Sequence, residues 1–421
     1  MRQAAASIFA SGSILLAFLV QALVALIPLL LVPILGRRLG VEGFGLFAIA
    51  QAFSIYVMAV GEFGFSLSGS RAVAANRDNV DVVATMLADV SSAKLIVAAA
   101  ILAPLCLAFL MFPMVRDHLL LFGAATVFGL GQGFSLYWLF GGQQRQRLGS
   151  LLDLGARLSA AIAIFFLVHS PDDGAIAMLC FACAQLVWVA ISYGVAYRNL
   201  PFKAISLRGG VAMLKTGRYV FMQNAVGIMY NASTTLVMGL VASPTAIGLF
   251  SGAERLARSP LMLMTVVRQV LFPVMVSKLA QSTTAAIHFW RLMLGLAVAG
   301  GVATGLLLFL AAPFLVRVML GPDFSDAVAI LQLLSPLPLI AGIGEVFSVY
   351  WLLPMHRDQQ LTLMVVGTTL LHVFLVLVLA AHGGAAGTVA AVLASQFVAM
   401  AASIALVMYA GADPLRRIRT A

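Results

Sequence analysis

Charge is scarce in this chain. Asp, Glu, Lys and Arg make up 10% of its 421 residues, where a soluble globular protein carries about 25%. Hydrophobic residues fill 62%, well above the usual roughly 45–50%. No soluble core needs that much apolar surface, so the composition excludes a soluble domain and requires a protein with many membrane spans. A long polar segment is also lacking. Nucleic-acid binding would need a basic face on such a segment, so the net charge of +10 belongs instead to short cytoplasmic loops. Strand alternation is absent, which excludes a β-barrel and leaves a helical bundle. There is no G-x-x-x-x-G-K-[ST] phosphate loop, so nucleotide is not hydrolysed by that route. The three cysteines, Cys106, Cys180 and Cys183, all sit in apolar runs. Cys180 and Cys183 form a C-x-x-C without partner ligands or the polar setting of a redox pair, so they read as packing residues. His118, His169, His288, His356 and His382 lie in or beside loops, and His372 stands alone in its span; no ligand cluster forms. The N-terminal apolar run has no clear small-residue cleavage site and reads as a first span.

Apolar length is what the chain does have. A span needs about 20 mostly apolar residues. Twelve stretches qualify, centred on 12–35, 44–64, 90–112, 118–140, 150–168, 174–197, 218–241, 246–267, 291–315, 327–352, 361–381 and 386–410. With the N-terminus inside, seventeen Lys and Arg residues, Lys94 among them, fall on inner loops, ends and flanks. Four (Arg37, Arg38, Arg116 and Arg317) fall outside. That asymmetry predicts both termini in the cytoplasm, with the Arg37–Arg38 pair as a local dissent. Outer loops such as HSPDDG and GPDFSD are short, so no extracellular domain is expected.

The sequence also repeats itself. FSLYWLF (Phe134–Phe140) recurs as FSVYWLL (Phe347–Leu353), GLFAIAQAF (Gly45–Phe53) as GLFSGAERL (Gly248–Leu256), and FLMFP (Phe109–Pro113) as FLAAP (Phe309–Pro313). The matches keep their order, so the chain is expected to be a duplicated six-helix unit, with lobes at 1–205 and 206–421. NLPFKAISLRGGVAMLK forms the seam. An even number of spans per unit makes the lobes parallel repeats, an arrangement suited to a transporter whose two lobes rock about a central cavity. Trp138 and Trp351 are expected at the cytoplasmic interface with one indole edge wet.

Charges inside spans are expensive and need a reason. The eighth span, GLFSGAERLARSPLMLM, carries Glu254, Arg255 and Arg258 near its middle. Glu254 and Arg258 are four apart and can pair on one face. Two guanidinium groups against one carboxylate leave a net positive charge, which is expected to face a wet cavity between the lobes. A guanidinium fork suits phosphate oxygens. The alternatives are an ionic network between helices, or an eighth helix that starts later and puts these groups nearer the interface. Arg157, Arg268 and Arg291 are further candidates for contact with substrate, while Glu62, Asp153, Glu345 and Glu254 could carry a coupling ion. Asp153 and Arg157 are again four apart and could neutralise each other. Gln21, Asn224 and Asn231 place amides inside the first and seventh spans, to line the cavity or bond between helices. Pro28 and Pro33 should kink the first span.

PILGRRLGVEGFGLFAIAQAF (33–53), GFSLSGSRAVA (64–74), WLFGGQ (138–143) and GLFSGAERLARSP (248–260) resemble, in this order, the conserved elements of Wzx-type polysaccharide flippases. Gly141 stands where that family often has Gln. The resemblance implies membership of the multidrug/oligosaccharidyl-lipid/polysaccharide exporter superfamily. It implies a polyprenyl-diphosphate-linked glycan as cargo, flipped across the bacterial inner membrane. It also implies the lipid bilayer and polysaccharide polymerase machinery as partners, and no cofactor; with no nucleotide motif, the drive would come from a proton or sodium gradient or from downhill removal of product. Dragging such a head through about 30 Å of hydrocarbon requires a polar path.

Three rivals stay open at this point. A drug/cation antiporter would want carboxylates where the eighth span offers two arginines. A lipid-linked peptidoglycan precursor flippase is similar but tends to carry extra spans. A polyprenyl-dependent glycosyltransferase, ligase or polymerase would need a substantial outer loop, which the chain lacks.

Overall fold

A computed structural model describes residues 2–409, without the side chains of 2–26, 108, 110, 219, 223–231, 263, 265, 266 and 269. Among the described residues the secondary structure is entirely helical. Helix α1 (Arg2–Glu62) runs through two spans and is interrupted only at Gly40, whose φ of 65° and ψ of −176° lie outside the helical region. Pro28 and Pro33 lie within helical backbone, and the two spans merged in α1 are divided at Gly40, a residue type that adopts such dihedrals at little cost. The chain continues as α2 (Phe65–Ala75), α3 (Val80–Met111), α4 (Pro113–Asp117), α5 (Leu119–Gly133), α6 (Tyr137–Gly142), α7 (Gln146–Leu167) and α8 (Gly174–Tyr197). It then forms α9 (Leu207–Met238), α10 (Pro244–Gln281), α11 (Thr283–Met319), α12 (Ala327–Leu334), α13 (Leu337–Phe347) and α14 (Asp358–Tyr409). Helix α14 is a second merged pair, broken at Gly384 with φ 52°.

Eight helical stretches among the described residues are long and apolar enough to cross a membrane. Two of these contain the breaks at Gly40 and Gly384 and so supply two crossings each. With the equally long but more polar α9 and α10, the architecture is an all-α membrane protein of about twelve crossings. Leu, Phe and Val side chains of α11, α14 and α7 stand exposed in rows, Leu306, Leu307, Leu310 and Phe314 among them. Such surface is stable only against lipid.

Two compact units emerge. One comprises Met1–Leu39 and Leu46–Ala232, the other Gly40–Gly45 and Ser233–Ala421. The short Gly40–Gly45 segment clusters with the second because glycines let backbones touch: a Cβ on Gly45 would fall onto the Pro244 carbonyl oxygen, and one on Gly248 onto that of Val41.

Each unit has its own buried cluster, and each is built on one copy of the repeated heptapeptide. In the first unit Leu136, Trp138, Leu139 and Phe140 pack with Phe65, Val73, Val83 and Leu87. In the second, Phe347, Tyr350, Trp351 and Leu352 pack with Met275, Ile287 and Trp290. The local backbones differ. The first copy breaks α5 and starts α6, while Ser348–Leu352 forms a turn of π-helix. The tryptophans are not interfacial anchors. Trp138 is 2% exposed and Trp351 0%: the indole is the largest apolar side chain to hand, and core burial outweighs a wet edge. Trp138 fits because Gly69 lies against its ring, where any Cβ would collide.

Arg38, one of the pair that dissented from the charge pattern, has a structural explanation. Arg38 Nη1 donates to the carbonyls of Phe165 and Val168, each at 2.5 Å, and its guanidinium lies 5.2 Å from the centroid of the Phe165 ring. The last carbonyls of α7 have no intrahelical partners, and a cation at that end also meets the negative pole of the helix dipole. The positive charge is there to close a helix. Hydrogen bonds to a charged group contribute about 1.5–3 kcal/mol. Arg38→Ala should therefore lower the melting temperature of the purified protein by roughly 2–6 °C, with Arg38→Lys in between. A melting temperature unchanged in Arg38→Ala, read by tryptophan fluorescence in nanodiscs, would contradict the capping role.

Candidate functional site

The buried charges fall into separate groups within the two units. In the second unit α10 starts at Pro244, with Ser243 capping Ala246 N–H. Glu254 lies ten residues on, which at 1.5 Å per residue is about 15 Å along the axis, half the thickness of a hydrocarbon core of about 30 Å. The i,i+4 spacing does what the sequence suggested: Arg258 Nε donates to Glu254 Oε1 at 2.8 Å, with the carboxylate only 13% exposed. Arg255 points to another side, its Cζ 5.0 Å from the centroid of the Phe44 ring. Phe44 is itself held edge-on by Phe324 at 5.7 Å. The triplet thus holds two guanidinium groups against one carboxylate, and one of the two rests on an aromatic face that stabilises cations.

A histidine dismissed in the sequence as solitary stands close by. His372, 4% exposed, bonds through Nε2 to Thr234 Oγ1 at 2.9 Å and through Nδ1 to Ser395 Oγ at 2.8 Å. It ties α9 to both halves of α14, and the positive charge of Arg258 reaches it. Its sequence neighbours gave no hint because its partners come from other helices.

Farther along α10, Arg268 Nη1 comes within 3.7 Å of Glu345 Oε1 on α13. Two residues given separate candidate roles are one ion pair. Glu345 also lines an otherwise apolar cavity of about 380 Å³ bounded by Leu261, Met264, Met293, Leu296 and Tyr350. Arg291 is half-buried near the start of α11.

In the first unit Arg157 Nε donates to Asp153 Oδ2 at 3.1 Å along α7. This pair faces a cavity of about 260 Å³ that is also lined by Gln51, Ser54, Gln132 and Gln185. None of those four polar residues stood out in the sequence, since single amides in apolar runs carry no periodic signal; only the packing of α1, α5, α7 and α8 gathers them.

Glu62 has a structural occupation. It ends α1 and accepts hydrogen bonds from the backbone N–H of Gly64, at 3.0 Å, and of Ser66. These satisfy orphan donors at the start of α2. Its charge also acts on Lys94. Lys94 was expected on a cytoplasmic flank, and the structure corrects this: it is 1% exposed, donates to Ser135 O at 3.2 Å and lies 6.0 Å from the centroid of the Trp138 ring. The helix begins earlier than hydropathy suggests. Asn79 Oδ1 accepts from Val82 N–H, with Asp81 in the first turn. This is an N-terminal signature visible in the sequence, and it places Lys94 four turns deep. Gln21, Asn224 and Asn231 lie outside the described residues.

Comparison with known proteins follows from this architecture. A family model described as "Polysaccharide biosynthesis protein" matches residues 11–279. The chain belongs to the polysaccharide biosynthesis protein family. The resemblance read from its motifs is borne out at that level. Within this family's reach, the chain is 26% identical over 354 residues to "Putative O-antigen transporter" of Escherichia coli (strain K12), covering 83% of this chain and 85% of that protein. It is 26% identical over 396 residues to the protein of the same name from Shigella dysenteriae, covering 91% and 96%. Among solved structures, an inward-facing multidrug resistance MATE family transporter of the MOP superfamily aligns with TM-score 0.70 at 14% identity, covering 96% of this chain and 98% of that one. Lipid II flippase MurJ, inward closed, aligns with TM-score 0.69 at 13% identity, covering 94% and 87%. These two likenesses fix the fold of this family member, a multi-pass membrane protein.

The Glu62–Lys94 arrangement makes a testable claim. Glu62→Ala leaves the buried Lys94 ammonium without its nearby carboxylate and also orphans the N–H groups of Gly64 and Ser66, whereas Lys94→Met leaves a half-buried carboxylate that still accepts from those N–H groups. Glu62→Ala should therefore lower the melting temperature at least twice as far as Lys94→Met, measured by differential scanning fluorimetry. Equal losses would mean that the two groups are energetically independent.

Proposed function

We propose that this protein is a flippase that moves a polyprenyl-diphosphate-linked oligosaccharide across the bacterial inner membrane. The single observation that carries the reading is the α10 triplet of Glu254, Arg255 and Arg258, with its excess of guanidinium about three turns into a 38-residue helix in a member of a polysaccharide biosynthesis family. A diphosphate brings two or more negative charges into hydrocarbon, and planar guanidinium forks match its oxygens in pairs. The names of the two bacterial relatives, both O-antigen transporters, support glycan transport over an enzymatic role. The fold alone does not select the cargo, because it is shared by a drug exporter and a lipid flippase. The cationic balance of α10 disfavours an organic cation.

In this reading the two lobes, 1–205 and 206–421, are parallel repeats that alternate in exposing a central path, and both termini face the cytoplasm. The drive is a proton or sodium gradient, with Glu254 at the centre of charge exchange: when its carboxylate is neutralised, Arg258 is released toward the diphosphate. Glu345, already paired with an arginine, is a coupling site of the same type. Glu62 is demoted by its duty at the start of α2. Arg268 and Arg291 extend the cationic surface for the lipid-linked substrate, and polymerase machinery consumes the product.

Loss of one charge-assisted contact in a low-dielectric site lowers affinity by about tenfold. In a deletion strain complemented with Arg255→Ala or Arg258→Ala, surface polysaccharide should fall by roughly that factor at normal membrane abundance, and should vanish in the double variant. Normal surface polysaccharide in the double variant would remove the triplet from substrate binding. Orientation is checked independently: a C-terminal cysteine should react with a membrane-impermeant maleimide only in inverted vesicles.

A further inference from the structure

The cavity in the first unit differs in chemistry from the α10 triplet. Its charged groups cancel: Asp153 and Arg157 bond to each other at 3.1 Å, so the cavity offers no net charge to a diphosphate or to a bare cation. What remains are side-chain amides. Gln185 is 9% exposed, and its Nε2 reaches Gly131 O only at a stretched 3.5 Å. The Gln132 amide makes no hydrogen bond among the described residues, and Gln51, itself engaged in an interaction, also lines the space. Each amide presents two N–H donors and a carbonyl acceptor. The ion pair adds further donors on Arg157 and the second oxygen of Asp153. Pro28, also on the wall, withholds one N–H from the helix ladder and so frees an acceptor. Apolar cover comes from aliphatic side chains of α1 and α7 and from two rings: Phe128 and Phe181 both line the space, their centroids 5.3 Å apart and their planes at 44°.

Neutral, bearing several amides and an ion pair, and lined by two phenyl rings, this cavity matches the surface of a pyranose. A sugar ring carries a rim of hydroxyls, each donor and acceptor at once, around C–H faces that lie well on aromatic rings. The volume of about 260 Å³ is below the approximately 300 Å³ at which sites for drug-sized ligands begin. It holds one ring and not an oligosaccharide. We propose that this cavity of α1, α5, α7 and α8 is a monosaccharide subsite, recognising one sugar residue of the transported glycan through Gln51, Gln132, Gln185 and the Asp153–Arg157 pair. The inference rests on the flippase reading for its physiological ligand, but the binding chemistry stands separately. It gives Asp153 and Arg157 a role in hydroxyl recognition.

Two measurements separate the inference from that reading. In the first, the full-length protein in nanodiscs is screened by saturation-transfer NMR against free glucose, galactose, mannose, rhamnose and N-acetylglucosamine, with glycerol as the blank. At least one sugar should receive saturation. That transfer should fall about fivefold, as expected for the loss of a hydrogen-bonding amide, in Gln132→Leu and in Gln51→Leu, and persist in Arg258→Ala. In the second, a deletion strain is complemented with the same variants, and surface polysaccharide is measured at equal membrane abundance. Polysaccharide unaffected by the deletion itself would sink the flippase reading and leave the subsite to the NMR result. A deletion that loses polysaccharide, with Gln132→Leu and Gln51→Leu both restoring it fully, would overturn the subsite and leave the flippase reading standing. No sugar exceeding glycerol, or transfer equal in wild type and both variants, overturns it as well. Polysaccharide output that becomes sodium-dependent in the variants, with sugar transfer intact, would make the cavity an ion site instead.

Discussion

A guanidinium or ammonium inside hydrocarbon must find a carboxylate, a carbonyl or a ring face, or the helix that carries it will not stay in the membrane. The arrangement of this protein follows from where each such group is accommodated. Arg38 closes the carbonyl end of α7. Lys94 sits between Ser135 O and Trp138 under the field of Glu62. Arg157, Arg258 and Arg268 each meet a carboxylate of their own unit, and Arg255 rests on Phe44. Only two of these pairings are local along one helix. The others fix one helix against another, so the charges that make insertion costly also set the packing within each unit.

The same accounting explains how the two units differ. Each has a tryptophan-centred cluster on a copy of one heptapeptide, but the surroundings have diverged. In the first unit Trp138 is fitted against Gly69 and a buried lysine. In the second, Trp351 packs 5.7 Å from Trp290, whose indole N–H donates to Val346 O at 3.1 Å. A shared apolar frame persists while the polar content drifts: amides and a neutral ion pair on one side, an arginine excess on the other. Under the proposed function, the arginine excess would meet the diphosphate and the neutral cavity a sugar of the glycan.

How much of this was legible in the sequence depends on the range of the interaction. Span number and helical class follow from apolar length, and the Glu254–Arg258 and Asp153–Arg157 pairs follow from i,i+4 spacing, because both are properties of a single helix. The Arg268–Glu345 pair, the bonds of His372 and the amide cavity join residues on different helices, and no periodicity encodes them. Two misreadings came from treating position as environment. Lys94 looked like a flank because hydropathy begins late, although Asn79 and Asp81 mark the true start of α3. Trp138 and Trp351 looked interfacial because tryptophan often is, although glycine beside the first and a second tryptophan beside the other provide buried sites.

The hydrogen bonds of His372 have a directional consequence. Ser395 Oγ has one proton and two acceptors in reach, Val392 O at 3.0 Å and His372 Nδ1 at 2.8 Å. A neutral imidazole has one donor and one acceptor nitrogen, so the row has two settings: Thr234 donates to Nε2 while Nδ1 donates to Ser395, or both bonds run the other way. In each setting the bonds on the two sides of the ring point the same way between α9 and α14. A relay of this kind has a polarity. It cannot reverse one link at a time: a rotation of the Ser395 hydroxyl, or a separation of α9 from α14, must turn the whole row or break it, so the imidazole registers the relative position of these helices as a change of tautomer.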